Sequence, residues 1–105
     1  MRREKHDAGI SVTFKCRPEQ REVFLEKLKA EGIIAACRGE AGNLSYDYYL
    51  TADDPDELLL IEKWKDMDAL MAHAKQAHMA RMDALKAEYV TDMKIEMLRE
   101  VQGPG

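Results

Sequence analysis

The run Leu58-Leu59-Leu60-Ile61 constrains this chain more than any other stretch. It lies inside a segment, Glu57 to Trp64, that reads as a β-strand. Successive strand side chains point to opposite faces, so Leu58 and Leu60 share one face while Leu59 and Ile61 share the other. A strand with one wet face alternates apolar and polar residues, and this one does not. Both faces therefore need cover, and a chain of 105 residues has few elements to spare for a second layer. The economical solution is a homodimer whose two sheets pack face to face, because a domain this small gains much from an interface.

The remaining elements arrange themselves around that strand. Residues Met1 to Ala8 read as a mobile leader. From Gly9 the chain alternates, with Ile10, Val12, Phe14 and Cys16 on one face and Ser11, Thr13 and Lys15 on the other, which is a strand pattern. Pro18 suits the first position of a helix, where its missing N–H costs nothing. That helix carries Val23, Phe24, Leu28 and Ile34 as its apolar stripe, with a weak point at Gly32, and runs on to the Arg38-Gly39 turn. A second strand places Leu44, Tyr46, Tyr48 and Leu50 on one face. After Trp64, Asp66 caps a short helix bearing Ala69, Leu70 and His73. Lys75-Gln76-Ala77 is a candidate bend before a further helix that turns Met79, Met82, Leu85 and Tyr89 inward. The last strand spans Thr91 to Arg99, and residues 101–105 read as a frayed tail. The order is β-α-β-β-α-β, an α+β chain of ferredoxin-like topology occupying residues 9–100 as one domain.

Composition removes several function classes. A net charge of −4 disfavours a nucleic-acid partner, which calls for a clustered basic face. The charged start, Met1-Arg2-Arg3-Glu4-Lys5-His6, is followed by no apolar h-region, and no apolar run is long enough to span a bilayer. The expectation is a cytoplasmic protein with no membrane partner. Cys16 and Cys37 are too few for a disulfide framework and read as small buried apolar side chains. The methionines Met67, Met71, Met79, Met82, Met93 and Met97 fall on periodic positions and read as adaptable core filler. Nucleotide, phosphate and serine-hydrolase motifs are absent from the sequence.

Two constellations remain. His73 and His78 are five residues apart, which on a continuous helix separates them by about 140°, so they cannot share a face. Zinc-binding helices use spacings of three or four, and no third ligand is close in sequence, so no metal is expected. Trp64 lies on the Leu60–Glu62 face of its strand, and Glu62 cannot be buried there without a partner. Arg38 and His73 are the candidates. A carboxylate, an imidazole, the Tyr46 phenol and the Trp64 indole converging under apolar walls would suit a small aromatic ligand. A buried ion pair that merely holds a helix on the sheet explains Glu62 equally well.

The stretch Glu40-Ala41-Gly42-Asn43 followed by Tyr46, then Glu62-Lys63-Trp64, then Ala69-Leu70 with His73 and His78, resembles the antibiotic biosynthesis monooxygenase domain family, which includes small quinol monooxygenases. The likeness covers Gly9 to about Met97; many relatives carry proline where this chain has Ala41. It implies a dimeric α+β barrel that oxygenates a small quinol or phenol with dioxygen and needs no metal, flavin or other cofactor. Deprotonating such a substrate raises its electron density until it can itself reduce dioxygen; the protein supplies a base, polar groups and a dry cavity. The resemblance implies His73 as base, Asn43 and Tyr46 orienting substrate oxygens, and Trp64 as an apolar wall. Arg38, Leu60, Glu62 and His78 would contact substrate. Haem-degrading relatives carry an asparagine in the first strand, where Ser11 and Thr13 stand here, so that activity is disfavoured. An isomerase or processing enzyme for a small oxygenated metabolite, and a dimeric ligand-binding module without chemistry, are the other classes the sequence admits.

Overall fold

A computed structural model describes residues 8–101. The leader expected over the first eight residues lies outside this range except for Ala8, which is buried in the first strand. The expected tail likewise lies outside it beyond Val101. The elements are β1 (Ala8–Cys16), α1 (Arg21–Ala30), α2 (Ile33–Arg38), β2 (Asn43–Leu50), β3 (Glu57–Trp64), α3 (Met67–Ala74), α4 (Met79–Tyr89) and β4 (Val90–Leu98). The four strands form one antiparallel sheet in the order β2-β3-β1-β4, the ferredoxin-like topology.

The doubly apolar strand is central, between β2 and β1. Its Leu58, Leu60, Glu62 and Trp64 are buried on the face the helices cover, together with Val12, Phe14 and Tyr46. Leu59 and Ile61 on the opposite face are half-buried and Lys63 is exposed. Phe24 and Leu28 of α1 close the core over Phe14, whose ring meets Phe24 edge-on at 5.5 Å.

Several expectations need correction. The single helix from Pro18 is two. Pro18 sits in a turn, and α1 begins only at Arg21. Gly32, at φ 75°, takes the left-handed conformation that glycine adopts freely, and it breaks the helix outright. The buried face of α1 is Arg21, Phe24 and Leu28, leaving Val23 39% exposed. Leu44 and Leu50 are also exposed, at 59% and 52%. Of the methionines assigned to the core, only Met82 is buried, with Met79 packed at its edge; Met67, Met71, Met93 and Met97 are exposed. Met93, Ile95 and Met97 pair in register with Phe14, Val12 and Ile10, so they share the helix-side face. The helices of this chain do not reach far enough to cover them.

Candidate active site

The site grows from β3. Period two puts Glu62 beside Trp64 on the buried face, and the indole N–H donates to Glu62 Oε1 at 3.0 Å. Across the ladder Tyr46 stands opposite Glu62, and Asn43 stands opposite Trp64. Simple alternation would send Asn43 and Tyr46 to opposite faces. A bulge between Asn43 and Ser45 inserts Leu44 as an extra residue, so both come to the same face while Leu44 turns to solvent. Tyr46 is 1% exposed. Asn43 donates its amide N–H to the Ser45 carbonyl at 3.1 Å. Leu60, one step along the same face, is buried in the adjoining core.

The roof is α3. Asp66 accepts from the Ala69 N–H at 2.8 Å, an N-cap that fixes where the helix starts and so aims His73, two turns on, at the sheet. The His73 ring lies 4.7 Å from that of Trp64 and 5.8 Å from that of Tyr46, and the residue is 5% exposed. Its Nε2 faces Glu62 Oε1 at 3.6 Å. Its Nδ1 faces both oxygens of Glu40, at 3.1 and 2.9 Å. The partner of Glu62 is therefore His73 together with Trp64. Arg38 is not: its Nε donates to the Tyr46 carbonyl at 2.9 Å and its Nη2 to Asp47 at 3.3 Å, on an exposed flank of β2.

His78 overturns a sequence argument. The chain leaves helix after Ala74 and re-enters it at Met79, so the 140° separation never applies. Both imidazoles reach one carboxylate oxygen, His78 Nε2 lying 2.6 Å from Glu40 Oε2. An ionised carboxylate can only accept, so the two ring nitrogens facing it are donors. That leaves the lone pair of a neutral His73 ring on Nε2, toward Glu62, Trp64 and Tyr46. Burial pushes the Glu62 carboxyl above the ordinary carboxylate range, opposed by the Trp64 N–H and by His73.

Glu40, in the turn that leads to Asn43, anchors the site although no periodic pattern in the sequence points to it. Only 6% of its side chain is exposed, and among the described residues its ion-pair partners are the two histidines. The one available signal was its place three residues after Cys37, at the mouth of the Gly42 turn. Cys37 is fully buried as expected, but beside this cluster; burial pushes its thiol up to about 11. A cavity of about 370 Å³ opens at Glu40, His78 and Gln76. A larger one, about 550 Å³, lies on the opposite face of the sheet by Gly9, Ile61 and Leu98 and does not touch the cluster.

The arrangement is a carboxylate–imidazole–carboxylate chain walled by an indole and a phenol. It can hold one face of an imidazole fixed while the other nitrogen handles a proton.

A family model described as antibiotic biosynthesis monooxygenase matches residues 8–85, a span that contains every residue of this cluster. The chain is 36% identical over 69 residues to the Bacillus subtilis (strain 168) protein named "Putative monooxygenase YcnE", covering 66% of this chain and 70% of that one. Among solved structures, Rv0793 from Mycobacterium tuberculosis is 28% identical with a TM-score of 0.79, covering 94% of this chain and 99% of that one. PA3566 from Pseudomonas aeruginosa is 26% identical with a TM-score of 0.82, over 93% and 97%.

Proposed function

We propose, from the premise that this chain belongs to the antibiotic biosynthesis monooxygenase family, that it oxygenates a small quinol or phenol with dioxygen and without a metal or flavin. The observation that carries this is the buried imidazole of His73, held from one side by Glu40 and opening on the other toward Trp64 and Tyr46.

In this proposal Glu40 accepts the Nδ1–H of His73 and so keeps the basic lone pair on Nε2. His73 Nε2 takes the substrate's hydroxyl proton. The resulting phenolate is electron-rich enough to reduce dioxygen, and the substrate itself supplies all four electrons. One oxygen atom enters the ring, the other leaves as water, and a quinone carrying one more oxygen is the product. Trp64 supplies a flat apolar wall, and Tyr46 and Asn43 orient the substrate's oxygens. Burial of the site limits competing proton exchange with water.

Oxygen uptake over a panel of hydroquinones and phenols, without added metal, tests the proposal. Wild type is expected to consume oxygen with at least one of them. His73→Ala is expected to lose ~10²–10⁴-fold in turnover, the usual scale for a positioned base. Trp64→Phe is expected to weaken binding more than turnover, since it removes wall area and no proton acceptor. Wild-type turnover in a folded His73→Ala variant would place the base elsewhere.

A further inference from the structure

Glu40 poses a problem that its role beside His73 does not fully answer. A carboxylate this buried calls for compensating positive charge. Among the described residues no lysine or arginine is within ion-pair distance of it, and two imidazoles converge on one of its oxygens instead. The Cys37 thiol completes the group: one donor atom each from Cys37, Glu40, His73 and His78 lies within 4.8 Å of every other. Sulfur, two imidazole nitrogens and one carboxylate oxygen make a zinc-type donor set, unlike the all-oxygen shells that calcium and magnesium prefer.

We propose that Cys37, Glu40, His73 and His78 form a binding site for a single zinc-class divalent ion. The four donors come from three different places in the chain. Cys37 lies on the last turn of α2, Glu40 just beyond it, and His73 and His78 flank the break between α3 and α4. A tetrahedral zinc site spaces its donors by roughly 3.3–3.8 Å. The carboxylate–imidazole distances of 2.9 and 2.6 Å would therefore open slightly, while the widest separations within the group, which stay under 4.8 Å, would close. His78, 23% exposed in its side chain, and the cavity at Glu40 and Gln76 provide a way in from solvent.

The ion would take Nδ1 of His73, the nitrogen that faces Glu40. A neutral imidazole bound through Nδ1 carries its proton on Nε2, so it has no lone pair left for a substrate. Ion binding and base catalysis at His73 would thus exclude one another. The binding itself stands independently of the oxygenase reading.

Cobalt titration of the reduced, dialysed full chain tests the site, with metal-to-protein ratio measured by elemental analysis. The expected result is one Co²⁺ per chain, with thiolate-to-cobalt charge-transfer absorption that added Zn²⁺ abolishes. Cys37→Ser should lose that absorption, whereas Cys16→Ser, at the far end of β1, should keep it. His78→Ala, altering the half-exposed donor and sparing the core, should weaken binding by at least ~10-fold. Circular dichroism checks each variant's fold. Wild type that shows no such absorption at saturating Co²⁺ would overturn the proposal. So would absorption that survives Cys37→Ser, or unchanged affinity in His78→Ala.

Discussion

At the scale of single residues, burial works on titration in a direction that can be measured. Burial pushes the Cys16 thiol from 9.0 up to about 11. It also raises the Tyr46 and Tyr48 phenols above their ordinary 10.0, their hydroxyls lying 3.5 Å apart. In each case the folded state holds its proton more tightly than the unfolded chain does. The stabilisation is complete below the unfolded value and is lost as pH rises through the window above it. Urea midpoints are therefore expected to hold between pH ~7 and ~8.5 and to fall steadily above pH ~9. A midpoint that stays level up to pH ~11 would mean these groups titrate as if exposed.

At the scale of elements, the turn between α2 and β2 controls how α3 meets the sheet. Gly42 has φ 85°, and a Cβ there would lie 2.6 Å from the Ala69 Cβ and 3.2 Å from the Lys65 side chain. Its carbonyl accepts the Lys65 N–H at 2.8 Å. The Gly42 and Ala69 positions in the family-like motif are thus two sides of one close contact, which seats the helix carrying His73. Gly42→Ala is expected to cost ~2–5 kcal/mol by combining backbone strain with overpacking. Gly32→Ala is the control: its φ is 75°, but no atom lies within 4 Å of the added Cβ. It should cost only the strain of the left-handed backbone, ~1–2 kcal/mol. Equal losses of urea midpoint in the two variants would remove the packing role of Gly42. Arg21 performs a comparable task at the other end of the sheet. Its Nη1 reaches the carbonyls of Thr51, Asp54 and Glu57 at 3.4, 3.1 and 3.3 Å and so holds the β2–β3 loop.

At the scale of the whole molecule, the chain leaves two apolar surfaces incompletely covered. Leu59 and Ile61 stand half-buried on the face away from the helices. The Met93, Ile95 and Met97 stripe is 40%, 56% and 64% exposed. A run of exposed apolar residues on an edge strand is a surface that invites a partner. The expected partner is a second copy, with sheets facing and each β4 supported by the other chain. Light scattering over a dilution series should report twice the chain mass, and Ile95→Lys should shift the protein toward monomer. A monomer at micromolar concentration would leave both surfaces without their expected cover. Among the described residues no helix is long and apolar enough to cross a membrane.

What the sequence determined by itself was whatever depends on local period and local chemistry. Alternation placed Glu62 with Trp64 and Leu60; Asp66 announced the start of α3; the ferredoxin-like order followed from the succession of patterns. The family resemblance supplied Asn43 and Tyr46 as neighbours, although alternation alone separates them, because a one-residue bulge leaves no periodic trace. Tertiary structure decided the rest. Whether His73 and His78 could meet depended on a helix break that only Lys75-Gln76-Ala77 hinted at, and on a carboxylate more than thirty positions earlier. Arg38 was an equally plausible partner for Glu62 in one dimension; the end of α2 points it at the edge of β2 instead. Met93 and Met97 carry the same apolar pattern as buried strand residues, yet burial is a property of what lies opposite. Period reports which side chains share a face, and only the packed chain determines what that face meets.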